Sequence, residues 1–279
     1  MAVGEAIRAA AARLADTGDT ARLDAELLMA HALGVSRSDM LLRAMRDPAP
    51  GSFAALVERR AAHEPVAYIT GWTEFYGRRF DVGPGVLIPR PDSEVLIEAA
   101  LELVPDPRRV LDIGTGSGAL LFTILMEKPK AAGIGIDASL EAIEIAMDNG
   151  IGLDAEHHLL DHWEWQVMQR DWRTPRWADD LGTFDLVLCN PPYVEDDAAL
   201  DPQVRDYEPA TALFAGPEGL DDYRILIPQL RALMTPRGIA ILEIGAEQAE
   251  VVGALAAASG FTVSLRRDLA GRPRALVLA

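Results

Sequence analysis

The chain has 279 residues, 49 % of them hydrophobic and 25 % charged, with 43 Asp plus Glu against 26 Lys plus Arg and a formal net charge of −17. That length suits one large domain, or one with a small companion, and the composition supplies a core that a disordered chain lacks. One cysteine, Cys189, excludes a disulfide scaffold or multi-cysteine metal centre; no apolar run nears the ~18–20 residues that span a bilayer; and the acid excess disfavours a long polyanion as main partner.

Residues 1–75 read as helices only. AIRAAAARLA and LDAELLMAHALG space their apolar residues at i, i+3 and i+4. Gly34 is a helix stop, Ser36 to Asp39 start another helix, and a further one is expected over Gly51 to Ala62. The opening segment is amphipathic and carries Glu5 and Asp16, so no secretory signal is expected. This part has a charge of −2, against −15 for residues 76–279. Residues 64–92 are dense in Gly and Pro, with Tyr68, Phe75, Tyr76 and Phe80 among polar neighbours. That pattern predicts a β-hairpin and an ordered loop rather than a flexible linker.

From residue 93 strands and helices alternate. Strands are expected at 109–114, 133–137, 166–169, 184–190, 238–244, 261–265 and 274–278, and helices near 93–103, 117–127, 139–149, 221–234 and 246–259. The alternation predicts an α/β fold, a parallel sheet covered on both faces. The expected organisation is a helical domain over 1–75, a hairpin and loop over 76–92, and the α/β domain over 93–279.

Asp112-Ile113-Gly114-Thr115-Gly116-Ser117-Gly118 follows a strand and opens a helix. Its glycines let a backbone approach a ligand, and its G-x-G-x-G spacing differs from the G-x-G-x-x-G of dinucleotide sites. The next strand, GIGID, ends in Asp137, where a carboxylate can accept two ribose hydroxyls. An isolated Asp there would read as the N-cap of the helix near Ser139; after such a glycine loop the ribose is favoured.

FDLVLCNPPY runs an apolar strand into Asn190, Pro191, Pro192 and Tyr193. The prolines remove backbone donors and hold the chain extended. The Asn190 side-chain oxygen and a main-chain carbonyl at Pro191 can then accept both hydrogens of a planar NH2 group, and Tyr193 can pack on its flat face. Fixing those hydrogens orients a delocalised, weakly nucleophilic nitrogen and stabilises the positive charge it gains in attack.

These stretches, with HEPVAYITGWTEFYG (63–77), VLIPRPDSE (86–94), YEPATALFAGPEGLDDY (207–223) and LEIGAEQ (242–248), resemble the HemK/PrmC family of glutamine-N5 methyltransferases over nearly the whole chain. The resemblance implies a class I S-adenosylmethionine-dependent fold, Rossmann-like and seven-stranded with one antiparallel strand at an edge, behind a small helical domain that grips the protein substrate. It implies S-adenosylmethionine as cofactor, held by Asp112, Gly114, Thr115, Gly116, Ser117, Gly118, Asp137, Asp171, Trp172 and Asn190. Trp172 would supply an apolar face to the adenine. Asn190, Pro191, Pro192 and Tyr193 would hold the substrate glutamine, with Asn190, Pro191 and Tyr193 acting in catalysis. The implied partner is a class I peptide chain release factor, methylated at the glutamine of a Gly-Gly-Gln motif. A cytoplasmic monomer with no direct nucleic-acid or membrane contact is expected.

Segment 150–170 is longer than the family pattern, which makes Asp161 and Trp163 rivals of Asp171 and Trp172; the latter pair is preferred because it follows the apolar strand QVMQ. His157, His158 and His162 with Asp161 offer no set of three ligands in fixed spacing, so no metal is expected. Cys189 reads as a buried structural thiol, Glu94 as an early-helix acid, and Arg90 as an organiser of a loop over the cofactor. The rival functions are methylation of a ribosomal-protein glutamine, adenine-N6 methylation of nucleic acid, and a cofactor-binding adaptor without catalysis.

Overall fold

The computed structural model describes residues 1–157 and 164–279. They form two compact units, Met1–Trp72 with Leu200–Tyr207, and Thr73–Ala199 with Glu208–Ala279. The first holds helices α1 (Val3–Arg13), α2 (Ala21–Leu33), α3 (Arg37–Asp39, running into a wide turn at Met40–Ala44), α4 (Phe53–Ala61) and α5 (Val66–Thr70). The apolar spacing of α1 buries Val3, Ala6, Ile7 and Ala10 against Leu28, Met29, Met40 and Phe53. Gly34 ends α2 in the left-handed conformation, and the Ser36 hydroxyl caps α3 by accepting from the Asp39 amide. Arg60, 2 % exposed, pairs with Asp24 at 2.7 Å and spends further donors on the Glu64 and Thr17 carbonyls, which satisfies a charge buried in this small core.

Segment 64–92 opens with the helical turn α5, and the expected hairpin of β1 (Trp72–Phe75) and β2 (Arg78–Asp81) starts earlier than expected, placing a strand inside the span 1–75 that was expected to hold helices only. Tyr76 and Gly77 join the strands with φ of 51° and 70°, the paired positive angles of a tight hairpin turn. Glu94 Oε1 accepts from the Tyr76 amide and fixes this turn to α6 (Glu94–Leu103), so the early-helix acid has a second role.

The rest of the second unit alternates β3 (Arg109–Ile113), α7 (Ala119–Glu127), β4 (Ala132–Asp137), α8 (Leu140–His157), β5 (Glu164–Gln169) and β6 (Phe184–Cys189). After the short helix α9 (Pro202–Arg205), which belongs to the first unit, come α10 (Asp221–Leu233), β7 (Met234–Glu243), α11 (Ala249–Ala258), β8 (Val263–Arg267) and β9 (Pro273–Leu278). The sheet order is β5-β4-β3-β6-β7-β9-β8, parallel except that β9 runs antiparallel to both its neighbours. The antiparallel strand therefore lies one place in from the edge, not at it. The short turn from β8 to β9 makes a hairpin, and β9 fills the gap that the α11 crossover leaves beside β7.

Alternate residues of the strands feed two cores. Leu111, Val187 and Leu242 pack with Tyr223, Leu226 and Leu230 of α10 on one face, while Val110, Leu186, Leu188 and Ile241 pack with α6 and α7 on the other. Both faces are covered, as the continuous apolar runs require. Helix α8 extends eight residues past the expected end at Asn149. Asn149 is buried inside it and Gly150 makes room for the edge-to-face pair Phe122 and Trp165, so neither residue stops the helix. Among the described residues no helix is long and apolar enough to cross a membrane.

Candidate active site

Parallel strands β3, β4 and β6 end side by side; the glycine run follows β3, Asp137 is the last residue of β4, and Asn190 follows β6. This is the carboxyl end of an open α/β sheet, where such folds take ligands. An open cleft lies there, lined by Gly114, Thr115, Gly116, Ser117, Ala119, Leu120, Phe75, Leu87, Pro89, Ser93 and Asn190.

The glycine loop is held from several sides. The Gly114 and Thr115 amides both donate to the Ile136 carbonyl, and the Gly116 amide donates to Asp137 Oδ2 at 2.9 Å. Asn149 Nδ2 donates to the Ser117 carbonyl and to the Asp81 carbonyl, and its Oδ1 accepts from the Asp81 amide, tying the loop to the hairpin. Gly114 and Gly116 have φ of 73° and 56°, a region that L side chains rarely enter. A β-carbon on Gly114 would sit between the Trp172 ring, 3.4 Å away, and the Asn190 carbonyl, 3.9 Å away.

Asp112 is fully buried. Its Oδ2 accepts from the Thr115 hydroxyl at 2.7 Å, its Oδ1 has no hydrogen-bond partner among the described residues, and burial pushes its pKa up to about 7. Asp137 Oδ1 accepts from the Ser139 amide, and the Ser139 hydroxyl in turn accepts from the Ala142 amide, so the cap of α8 is Ser139. Each Asp137 oxygen thus makes one internal bond and keeps acceptor capacity for a hydroxyl, with burial raising its pKa.

Trp172 is buried, and its indole N–H donates to Asp222 Oδ1 at 2.9 Å. Arg173 adds a guanidinium contact to both Asp222 oxygens at 2.8 Å. Asp171, half-buried, spends Oδ1 on the Arg173 amide. The rivals Asp161 and Trp163 lie outside the described residues, as do His158 and His162 of the histidine cluster. Among the described residues, no group of three or more His, Cys, Asp or Glu could hold a metal ion.

Asn190 is half-buried on the cleft wall, and its carboxamide makes no hydrogen bond to any described residue. Pro191 and Pro192 are buried. The Tyr193 hydroxyl donates to Glu243 Oε1 at 3.1 Å, and its carbonyl accepts from Gln248 Nε2 at 3.0 Å. Glu243, 1 % exposed, also accepts from the Ser93 hydroxyl on Oε2; burial raises its pKa against the pull of those two bonds and the Arg274 charge. Arg90 pairs at 2.5 Å with the buried Glu208, whose other oxygen accepts from the Ile88 amide. Cys189 is buried, and burial pushes its thiol pKa well above the ordinary value, which suits packing rather than nucleophilic work.

Sequence reasoning named Gly114, Thr115, Gly116, Ser117 and Asn190, which line the cleft, and Asp112, Gly118, Asp137, Asp171, Trp172, Pro191, Pro192 and Tyr193, which are not among its lining residues. It assigned no role to Glu243, Asp222, Glu208 or the Asn149 side chain. The available signal was an acid closing an apolar strand in GIAILE, and acids inside the YEP and LDDY stretches.

A family model described as the PrmC N-terminal domain matches residues 5–71, and one described as the methyltransferase small domain matches residues 79–206. The release factor glutamine methyltransferase of Caulobacter vibrioides is 37 % identical, covering 96 % of this chain and 93 % of its own. That of Cereibacter sphaeroides is 41 % identical, covering 98 % and 97 %. Among solved structures, a methyltransferase from Pyrococcus furiosus aligns with a TM-score of 0.52 at 15 % identity, over 73 % of this chain and 89 % of that one, and shares the fold.

Proposed function

The chain belongs to the release factor glutamine methyltransferase family, and from that premise we propose that it methylates the side-chain amide nitrogen of the glutamine in the Gly-Gly-Gln motif of class I peptide chain release factors. The observation that carries the reading is the Asn190 carboxamide, without a hydrogen-bond partner among the described residues, on the wall of the cleft floored by the glycine loop. S-adenosylmethionine, held by these residues, would supply an electrophilic methyl group on a sulfonium, the sulfur keeping the C–S electron pair.

The chain's part is positioning. Gly114 to Gly118 offer backbone at close approach, Asp137 offers free lone pairs to ribose hydroxyls, and Trp172 offers an apolar face. Asp112 and Asp171 support the loops from which these groups project. Asn190 Oδ1 and the Pro191 carbonyl accept the two amide hydrogens of the glutamine and aim its nitrogen; Pro192 and Tyr193 keep that cradle extended. Such alignment lowers a barrier by about 7–11 kcal/mol at best, so no general base is needed and the nitrogen proton leaves to water. The enzyme acts as a cytoplasmic monomer on a protein substrate, with no nucleic-acid or membrane contact.

The test is methyl transfer from labelled S-adenosylmethionine to a purified class I release factor, a ribosomal-protein pool and a DNA duplex in parallel. Label on the release factor alone is expected. Label on ribosomal protein alone, or on DNA, would replace this substrate.

A further inference from the structure

Tyr193 is gripped at both ends by one segment of the chain. Its hydroxyl donates to Glu243 at the end of β7, and its carbonyl accepts from Gln248 five residues on. Gln248 also donates to the Gly219 carbonyl and accepts from the Gly245 amide, so its amide plane is fixed. A β-carbon on Gly219 would fall 2.3 Å from the Tyr193 carbonyl oxygen, so the fit there leaves no slack. The second oxygen of Glu243 holds the hydroxyl of Ser93, and Ser93 lines the same cleft as Asn190. The Glu243 backbone is itself pinned, its carbonyl accepting from the Tyr223 hydroxyl at 2.7 Å.

One buried carboxylate therefore bridges two loops distant in sequence, the wall of the cofactor cleft and the Asn-Pro-Pro-Tyr turn. A carboxylate accepts only, and both of its partners here are hydroxyl donors, so the two bonds coexist without competition. We propose that Glu243 is a positioning residue for methyl transfer, joining Ser93 on the cleft wall to Tyr193 in the amide cradle so that Asn190 meets the glutamine in register. This rests on the functional reading above. Glu243 touches neither reacting group; it acts through Tyr193 and Ser93.

The experiment compares the full-length wild type with Glu243→Ala, Glu243→Gln and Tyr193→Phe. It reads kcat and KM for a class I release factor, and hydrogen exchange at the Tyr193 and Val194 amides. Glu243→Ala should lower kcat by about 10–100-fold, the range for a reactive group displaced by about 1 Å, with KM little changed. Exchange at the two amides should speed by about tenfold, the worth of one charge-assisted hydrogen bond to local opening. Glu243→Gln should restore most of both, because hydroxyls can reverse and accept from its amide. Where Glu243→Ala does not fold, Tyr193→Phe, which deletes only the phenol oxygen, carries the same expectation. Unchanged kcat and exchange in the variants, or a Gln variant as impaired as Ala, would overturn the positioning role. An inactive wild type would end the functional reading and the reaction half of this proposal, while exchange would still decide whether Glu243 holds the turn.

Discussion

The Trp172 indole lies against the backbone of Gly114, so that a β-carbon on the glycine would meet ring atoms Cη2 and Cζ3 at 3.4 Å. The ring is held in place by the bond from its N–H to the buried Asp222. Trp172→Ala should cost about 3–5 kcal/mol of stability, as large aromatic truncations do, and weaken S-adenosylmethionine binding. Urea unfolding and calorimetric titration read the two effects separately. Full cofactor affinity in a folded Trp172→Ala protein would remove this residue from the cofactor site.

Arg90 pairs with Glu208, a buried carboxylate whose other oxygen accepts from the Ile88 amide. Leu87 and Pro89, on either side of that amide, line the cleft. Arg90→Ala should loosen the loop and weaken cofactor binding by about tenfold, through lost preorganisation rather than a lost ligand contact. Equilibrium titration with S-adenosylhomocysteine measures this, and unchanged affinity would separate the Arg90–Glu208 pair from the site.

Two glycines of α8 should respond in opposite directions to alanine. Gly152 has open space around its missing β-carbon, so Gly152→Ala should stabilise by about 0.5–1 kcal/mol through helix propensity. A β-carbon on Gly150 would lie 2.6 Å from Phe122 and 2.8 Å from Trp165, so Gly150→Ala should destabilise by about 1–3 kcal/mol through overpacking. Denaturant midpoints of the two variants test the reading of α8 as one continuous helix, and equal effects would contradict it.

Burial raises the Asp112 pKa from 3.8 to about 7, so the folded state holds a proton that the unfolded chain releases at lower pH. The stability this contributes is complete below the unfolded pKa and is lost as pH rises from about 4 through about 7. Asp112→Asn does not titrate. Wild type should therefore lose stability relative to the variant across that window, by at most about 1.4 kcal/mol per pH unit. Urea unfolding of both proteins at pH 5 and pH 8 measures the difference. A gap independent of pH would show that Asp112 stays ionised.

Local pattern carried much of this molecule. The strand, glycine loop and helix at 109–127 are contiguous, and the glycine spacing and apolar period lie in the sequence itself. The Asn-Pro-Pro-Tyr turn is legible for the same reason, since proline geometry is local. Asn149 and Gly150 misled because Asn and Gly commonly end helices. Here the Asn149 carboxamide satisfies groups at Asp81 and Ser117, and the missing side chain of Gly150 admits two aromatic rings. Glu243 and Asp222 were unreadable because their partners lie about 50 to 150 residues away, a distance that periodicity does not encode. The place of β9 follows from a crossover and a hairpin acting together, which a list of strands cannot order.

The most direct test of the central claim is to map the methyl group by peptide mass spectrometry on a class I release factor treated with this protein and labelled S-adenosylmethionine. The Gly-Gly-Ala form of the factor and the Asn190→Ala enzyme are run beside it. The account predicts label on the side-chain nitrogen of the Gly-Gly-Gln glutamine, none on the Gly-Gly-Ala factor, and a loss of at least about 100-fold with Asn190→Ala at near-normal cofactor affinity. Label on another residue, or undiminished transfer by Asn190→Ala, would contradict it.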